Sequence, residues 1–181
     1  MKKNLVLAAF FSLFVMAISA SAQTANFSGT WNLDLAKSKL SDREKASIKS
    51  QTLTVTQTAA DITVVTATVR NEPPAGAPAG GPPGGGRMGG GSPDGSTTYT
   101  LDGKEVKSEV TTGMGSMQVS TKAKLDGQKI AITRTTSTPM GDRTSSETWS
   151  LGTDGTLSIE SQRPNRDGGM DTSTKVFTKK Q

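Results

Sequence analysis

An all-β chain of antiparallel strands is what this 181-residue sequence predicts, and three observations carry the prediction. Runs of alternating polar and apolar residues recur about every eight to twelve residues, the spacing of sandwiches and barrels. Asp-Gly steps punctuate three of the gaps, at Leu101-Asp102-Gly103-Lys104, Leu125-Asp126-Gly127-Gln128 and Thr153-Asp154-Gly155-Thr156, and supply the positive backbone angles that tight turns demand. Threonine is abundant, 26 residues from Gln23 onward, and its branched β-carbon favours pleated strands while its hydroxyl tolerates a hydrated face.

Taken in order, the first strand covers about 27–34. A single short helix follows at roughly 41–49, where Ser41 and Glu44 have capping-box spacing and charged residues fill the exposed positions. Its charges mark a solvated face, although a helix between the first two strands can also sit over a barrel mouth. Strands at 51–57 and 61–70 are joined by Thr58-Ala59-Ala60. Reading outward from the three Asp-Gly turns gives pairs at 96–101 and 104–110, at 115–125 and 128–136, and at 143–151 and 156–162. A last strand covers 173–179, which makes ten.

The third and fourth strands are separated by a tract at 72–96 that holds ten of the twenty glycines and six of the eight prolines. Such a composition forms neither strand nor helix at useful stability, so the tract reads as a flexible insertion between neighbouring strands of one sheet. It lacks the Gly-Lys-Ser or Gly-Lys-Thr step of a phosphate cradle.

The chain opens with an export signal. Lys2 and Lys3 form a basic start, Leu5 to Ile18 an apolar run too short to span a bilayer, and Ala20-Ser21-Ala22 a small-x-small cleavage site. Residues 1–22 are therefore expected to be removed, leaving 23–181 as one domain with no integral membrane anchor, located in the periplasm or outside the cell. Cleavage lowers the formal charge from +5 to +3, too mild for a nucleic-acid partner, and aromatic residues that could stack on bases are sparse. The core is thin: Leu, Ile, Val and Phe together number 23 in the processed chain, so threonine must fill part of the interior.

Phe27-Ser28-Gly29-Thr30-Trp31 carries a resemblance. Its Gly29-Thr30-Trp31 step resembles the Gly-x-Trp signature of lipocalins. The longer segments Phe27 to Asp34 with Lys37-Ser38, Glu147 to Leu151, Asp154 to Ile159 and Lys175-Val176-Phe177 are similar to those of small secreted bacterial lipocalin-like proteins, most of unassigned function. The resemblance implies an up-and-down β-barrel of eight to ten strands, with Trp31 plugging the barrel floor beside Gly29. Where the lipocalin pattern sets an arginine over that tryptophan, the final strand here offers only Lys175, Lys179 and Lys180. Residue by residue the same picture holds, since Gly29 leaves room for a close neighbour and Trp31 is large enough to seal one end. An open sandwich is the rival architecture.

The chain contains no His and no Cys, which removes the usual general base, the triads built on it, thiolate chemistry, disulfides and nitrogen or sulfur metal sites. Asp102, Asp126 and Asp154 sit at turns that favour aspartate for backbone reasons. Asp167 to Asp171 matches no complete calcium loop and reads as a turn. Glu105, Glu109 and Glu147 are strand positions expected to face water. No catalysis, cofactor or metal is expected.

Binding is the remaining class. Ile62, Val64, Thr66, Thr68 and Arg70 share one strand face, as do Ile130, Ile132 and Arg134, and Leu157, Ile159, Ser161 and Arg163. Inward or rim-facing guanidinium groups of Arg70, Arg134 and Arg163 would pair with a carboxylate or phosphate, pointing to a small hydrophobic, amphipathic or anionic ligand. At strand ends they would instead reach into water, leaving a ligand-free envelope or protein-interaction module. A pocket of about 300 Å³ or more would favour the binder, and a sealed interior the module.

Overall fold

The computed structural model describes residues 24–72, 94–112, 115–139, 141–165 and 167–180. The expected signal at 1–22 and most of the tract at 72–96 lie outside them. Ten strands form one antiparallel sheet: β1 Gly29–Lys39, β2 Ile48–Gln57, β3 Asp61–Arg70, β4 Gly95–Thr100, β5 Asp102–Thr112, β6 Gly115–Asp126, β7 Lys129–Thr138, β8 Gly141–Leu151, β9 Leu157–Pro164 and β10 Met170–Lys179. Their order is β4-β3-β2-β1-β10-β9-β8-β7-β6-β5, so the first and last strands pair and the meander closes into a nearly complete barrel. The one seam without a ladder lies between β4 and β5.

The expected hairpin at Leu101-Asp102-Gly103-Lys104 does not form. Asp102 Oδ1 does accept from the Lys104 N–H at 2.9 Å, and Gly103 does take a positive φ of 75°. Leu101, however, is buried, donates its N–H to Ala60 O and accepts from the Leu125 N–H, so its backbone is tied to two other turns. The turn chemistry is used instead where the β5–β6 register shifts, between Asp102 and Glu105. The other two Asp-Gly turns join paired strands as expected, with Asp126 opposite Lys129 and Leu151 opposite Leu157.

Strand β1 runs five residues past its expected end because Asp34 and Ser38 repair its ladder. Asp34 Oδ1 accepts from the Ala36 and Lys37 N–H groups and bends the strand out of register with β10. Ser38, 3% exposed, donates to Asp34 O at 2.6 Å and accepts from the Val176 N–H at 2.9 Å, replacing the bonds the shift removes. The helix, α1 (Asp42–Ser47), is capped by Ser41 and Glu44 through the expected capping box and buries none of its residues. It stands at the end of the barrel where β1 leaves and β2 enters. Strands β3 and β4, which flank the Gly/Pro tract, are paired neighbours from Asp61 opposite Thr100 to Thr66 opposite Gly95.

Most buried apolar side chains cluster at the opposite end, the floor, while Leu40 and Ile48 are buried on either side of α1. Residues 24–28 cross beneath it: the Ala25 N–H reaches Gly127 O, and the Gln57 side chain accepts from the Phe27 N–H and donates to Ala25 O. Phe27 is thereby fully buried, its ring 6.2 Å from that of Trp149 and edge-on to it. Around them pack Trp31, Leu53, Val55, Ile62, Ile130, Leu157 and Phe177. Trp31 is 2% exposed and its indole N–H donates to Phe27 O at 2.9 Å. Lys179, opposite Trp31 in the β1–β10 ladder, sets its ammonium 5.4 Å from the indole ring centre. Gly29 has a φ of 139°, and a β-carbon there would meet Lys179 Cε at 2.7 Å. The close neighbour that Gly29 accommodates is this lysine stem.

Candidate functional site

The two-residue period of each strand decides what lines the barrel above the apolar floor. In β3 the buried row Ile62, Val64, Thr66 continues through half-buried Thr68 to exposed Arg70. In β7 it runs Ile130, Ile132, Arg134, and in β9 Leu157, Ile159, Ser161, Arg163, with both arginines half-buried. Arg70, Arg134 and Arg163 therefore all follow the inward row of their strands, but the fold does not bring the three together. Arg163 borders the interior cavity, and Arg70 stands at its rim. Arg134 reaches across the inside of the β4–β5 seam, its Nη2 donating to the Tyr99 hydroxyl of β4 at 3.1 Å.

Two further groups complete the cluster. Lys175 shares the inner row of β10 with Phe177, and Glu147 that of β8 with Trp149. Glu147, expected to face water, turns inward, because Trp149 two residues on is anchored in the core and fixes its face; its carboxylate accepts from the Trp149 indole N–H at 3.4 Å. The Lys175 ammonium donates to Gln51 Oε1 at 3.0 Å, and Gln51 Nε2 donates to the Thr68 hydroxyl at 2.9 Å. Burial, above all, pushes the Lys175 pKa below the ordinary lysine value; Arg163 and Arg70 push the same way, while Glu44 of α1 and Glu147 oppose them. The helix thus lends a carboxylate to the mouth. The Thr66 hydroxyl is buried with no hydrogen-bond partner among the described residues.

The recess among Gln51, Thr66, Glu147, Ser161, Arg163 and Lys175 is about 30 Å³, over a base of Leu53, Trp149 and Phe177. That is room for a single water. A larger recess of about 450 Å³ lies on the outer wall over β5–β8, bordered by Glu105, Lys107, Ser120, Lys122 and Thr135. It is an open saddle of the twisted sheet, without a buried polar group aimed into it. No cluster of three or more carboxylates among the described residues is arranged to hold a metal ion. The turn at Asp167 to Asp171 is organised by Asn165, which accepts from the Asp167 and Gly169 N–H groups and donates to the Asp171 carboxylate. No helix among the described residues is long and apolar enough to cross a membrane.

No protein-family model matches the sequence, and no curated sequence matches it at a significant level. Solved structures do. The fluorescent protein UnaG is 16% identical over 85% of this chain and 97% of its own, with a TM-score of 0.49, and a mutant of UnaG is 16% identical over 84% and 95%, with a TM-score of 0.50. Secretory abundant heat soluble protein 4 from Ramazzottius varieornatus is 11% identical over 85% and 94%, with a TM-score of 0.48. At these identities the likeness speaks to fold, and what it supports is a lipocalin-like or fatty-acid-binding-protein-like β-barrel.

Proposed function

We propose that the protein is an exported, non-catalytic barrel that binds a small anionic molecule, bearing a carboxylate or phosphate, at its mouth. One observation carries the reading: Arg163 and Lys175 border a polar recess whose Thr66 hydroxyl has no partner among the described residues, with Glu147 beside them and the charges of Arg70 and Glu44 acting from farther off. Three cations against two anions leave a net positive site in which a charge-assisted contact to a bound anion relieves the lysine's burial. Arg163 and Lys175 are the principal anchors, Arg70 guards the rim, and Arg134 acts from the far wall only by releasing Tyr99. The small volume of the recess means that the ligand's anionic group enters the mouth while the rest of it stays outside the apolar floor. Export rests on the Lys2-Lys3, Leu5 to Ile18 and Ala20-Ser21-Ala22 pattern, and N-terminal sequencing of the secreted product should begin at Gln23.

Calorimetric titration with two probes, decanoate and inorganic phosphate, tests the site. Arg163→Ala and Lys175→Met should each weaken a measurable affinity at least tenfold, while Lys129→Ala, far from the mouth, should leave it unchanged. Unaltered affinity in both mouth variants would remove the site.

The 30 Å³ interior favours a second reading, the ligand-free interaction module. Native mass spectrometry separates the two: a stoichiometric adduct from the native host establishes a carrier, and a bare mass with no response to either probe establishes the module.

A further inference from the structure

Strand β5 is the most exposed strand of the barrel. Its free edge is paired with no described strand, since the ladder ends there and β4 leans on β6 instead. On its inner face Val106 and Val110 are 51% and 46% exposed. On its outer face Glu105, Lys107 and Glu109 alternate in sign. Glu105 is engaged by the Ser120 hydroxyl at 2.7 Å and lies 3.8 Å from Lys107, whereas Glu109 has no ion pair or hydrogen bond to a described side chain. A long, unpaired edge with exposed valines is the feature that natural sheets ordinarily blunt or cover.

We infer that this edge is covered by a second copy of the chain, the two β5 strands pairing antiparallel across a twofold axis at Ser108. The register follows from face and charge. A twofold axis normal to the sheet sets outer residues opposite outer residues, so the axis must pass through a residue and not between two. Centred on Ser108, the pairing sets Lys107 opposite Glu109 of the second copy, Glu109 opposite Lys107, Val106 opposite Val110 and Val110 opposite Val106. Both ion pairs lie on the outer face and both valine pairs on the inner face, the combinations that stabilise cross-strand neighbours. Centring on Lys107 would oppose Lys107 to itself and Glu105 to Glu109, and centring on Glu109 would oppose Glu109 to itself. Centring on Val106 keeps Glu105 opposite Lys107 but leaves Glu109 opposite Gly103. Only the Ser108 register uses the idle Glu109 carboxylate and both exposed valines.

The absence of cysteine makes the register directly testable. Residues facing each other across an antiparallel pair have Cα atoms about 4.5–5.5 Å apart, within the range a disulfide spans. Ser108→Cys in the purified protein, under mild oxidation at micromolar concentration, should give a covalent dimer quickly. Thr54→Cys, exposed on the outer wall of β2, should not. In sedimentation equilibrium, Lys107→Glu and Glu109→Lys should each raise the dimer dissociation constant at least tenfold, and the double exchange K107E/E109K should restore it. All three side chains are exposed, so folding is retained and unchanged tryptophan fluorescence checks it. A protein that stays monomeric at several hundred micromolar overturns the inference. So does a dimer that ignores the charge exchanges, or one whose Ser108→Cys variant oxidises no faster than Thr54→Cys.

Discussion

Replacing Gly29 by alanine isolates how the barrel floor is built. Two costs add. The backbone at φ 139° is in a region that residues with a β-carbon rarely enter, a strain of about 1–3 kcal/mol. The new β-carbon also meets Lys179 Cε at 2.7 Å. Because that atom belongs to a flexible stem, the lysine moves aside, and what is lost is its contact with the Trp31 ring, about 0.5–1 kcal/mol at an exposed site. Together Gly29→Ala should lower stability by about 1.5–4 kcal/mol, which for a chain of this size is a melting-point drop of roughly 3–16 °C. Urea unfolding followed by the fluorescence of Trp31 and Trp149, both buried, reads it. Lys179→Ala alone should cost about 0.5–1 kcal/mol, and adding Gly29→Ala to it should still cost about 1–3 kcal/mol from backbone strain alone. If Gly29→Ala costs under about 0.5 kcal/mol in either background, the strain argument is wrong.

Phe27→Ala should destabilise by about 3–5 kcal/mol in the same urea assay, because the ring is fully buried against Trp149 and the chain beneath the floor has no other large anchor. Thr66→Val should stabilise by about 1–2 kcal/mol, since it removes a buried hydroxyl that has no partner among the described residues; destabilisation would mean that an ordered water holds that hydroxyl. Anion binding should weaken with rising pH at values below the ordinary lysine pKa, because the folded-state pKa of Lys175 is depressed and its charge is lost early. The linked stability has the opposite sign: the penalty for burying charged Lys175 is present below the depressed folded pKa and fades as pH rises from there towards the unfolded value. Lys175→Met should abolish the pH dependence of binding in that range.

All ten strands and the helix were legible because their signals are local: alternation within about ten residues, Asp-Gly at turns, Ser41 and Glu44 at a cap. Sequence reading failed where a residue's backbone partners lay far along the chain. Leu101 looks like the start of a hairpin, but Ala60 and Leu125 claim its backbone, and nothing near position 101 announces them. The mouth divides the same way. Arg70, Arg134 and Arg163 were found by counting in twos from aliphatic residues. Lys175 and Glu147 fall on the same count begun from Phe177 and Trp149, which anchor their strands as firmly. The destination of Arg134, the Tyr99 hydroxyl on the other side of the seam, requires the closed barrel and has no signal in sequence.

A thin core and a polar mouth are two consequences of one composition. The few large apolar residues suffice to fill one end of a ten-stranded barrel, and they gather where Trp31, Phe27 and Trp149 stack. Above them the inward rows of β3, β7, β8, β9 and β10 change to threonine, serine and charge, with Gln51 on β2, and these cannot close over a dry interior without leaving more hydroxyls in the condition of Thr66. Packing energy is therefore concentrated at the floor, and local stability should follow it. Amide hydrogen exchange should be slowest around Trp31, Ile130, Trp149, Leu157 and Phe177. It should be fastest along β5, where the side chains are exposed on both faces and one edge lacks a partner among the described residues. Dilution provides the decisive comparison. If a second copy covers β5, its protection should fall as the protein is diluted while that of the floor holds, and protection of β5 independent of concentration would mean that the chain guards this edge by itself.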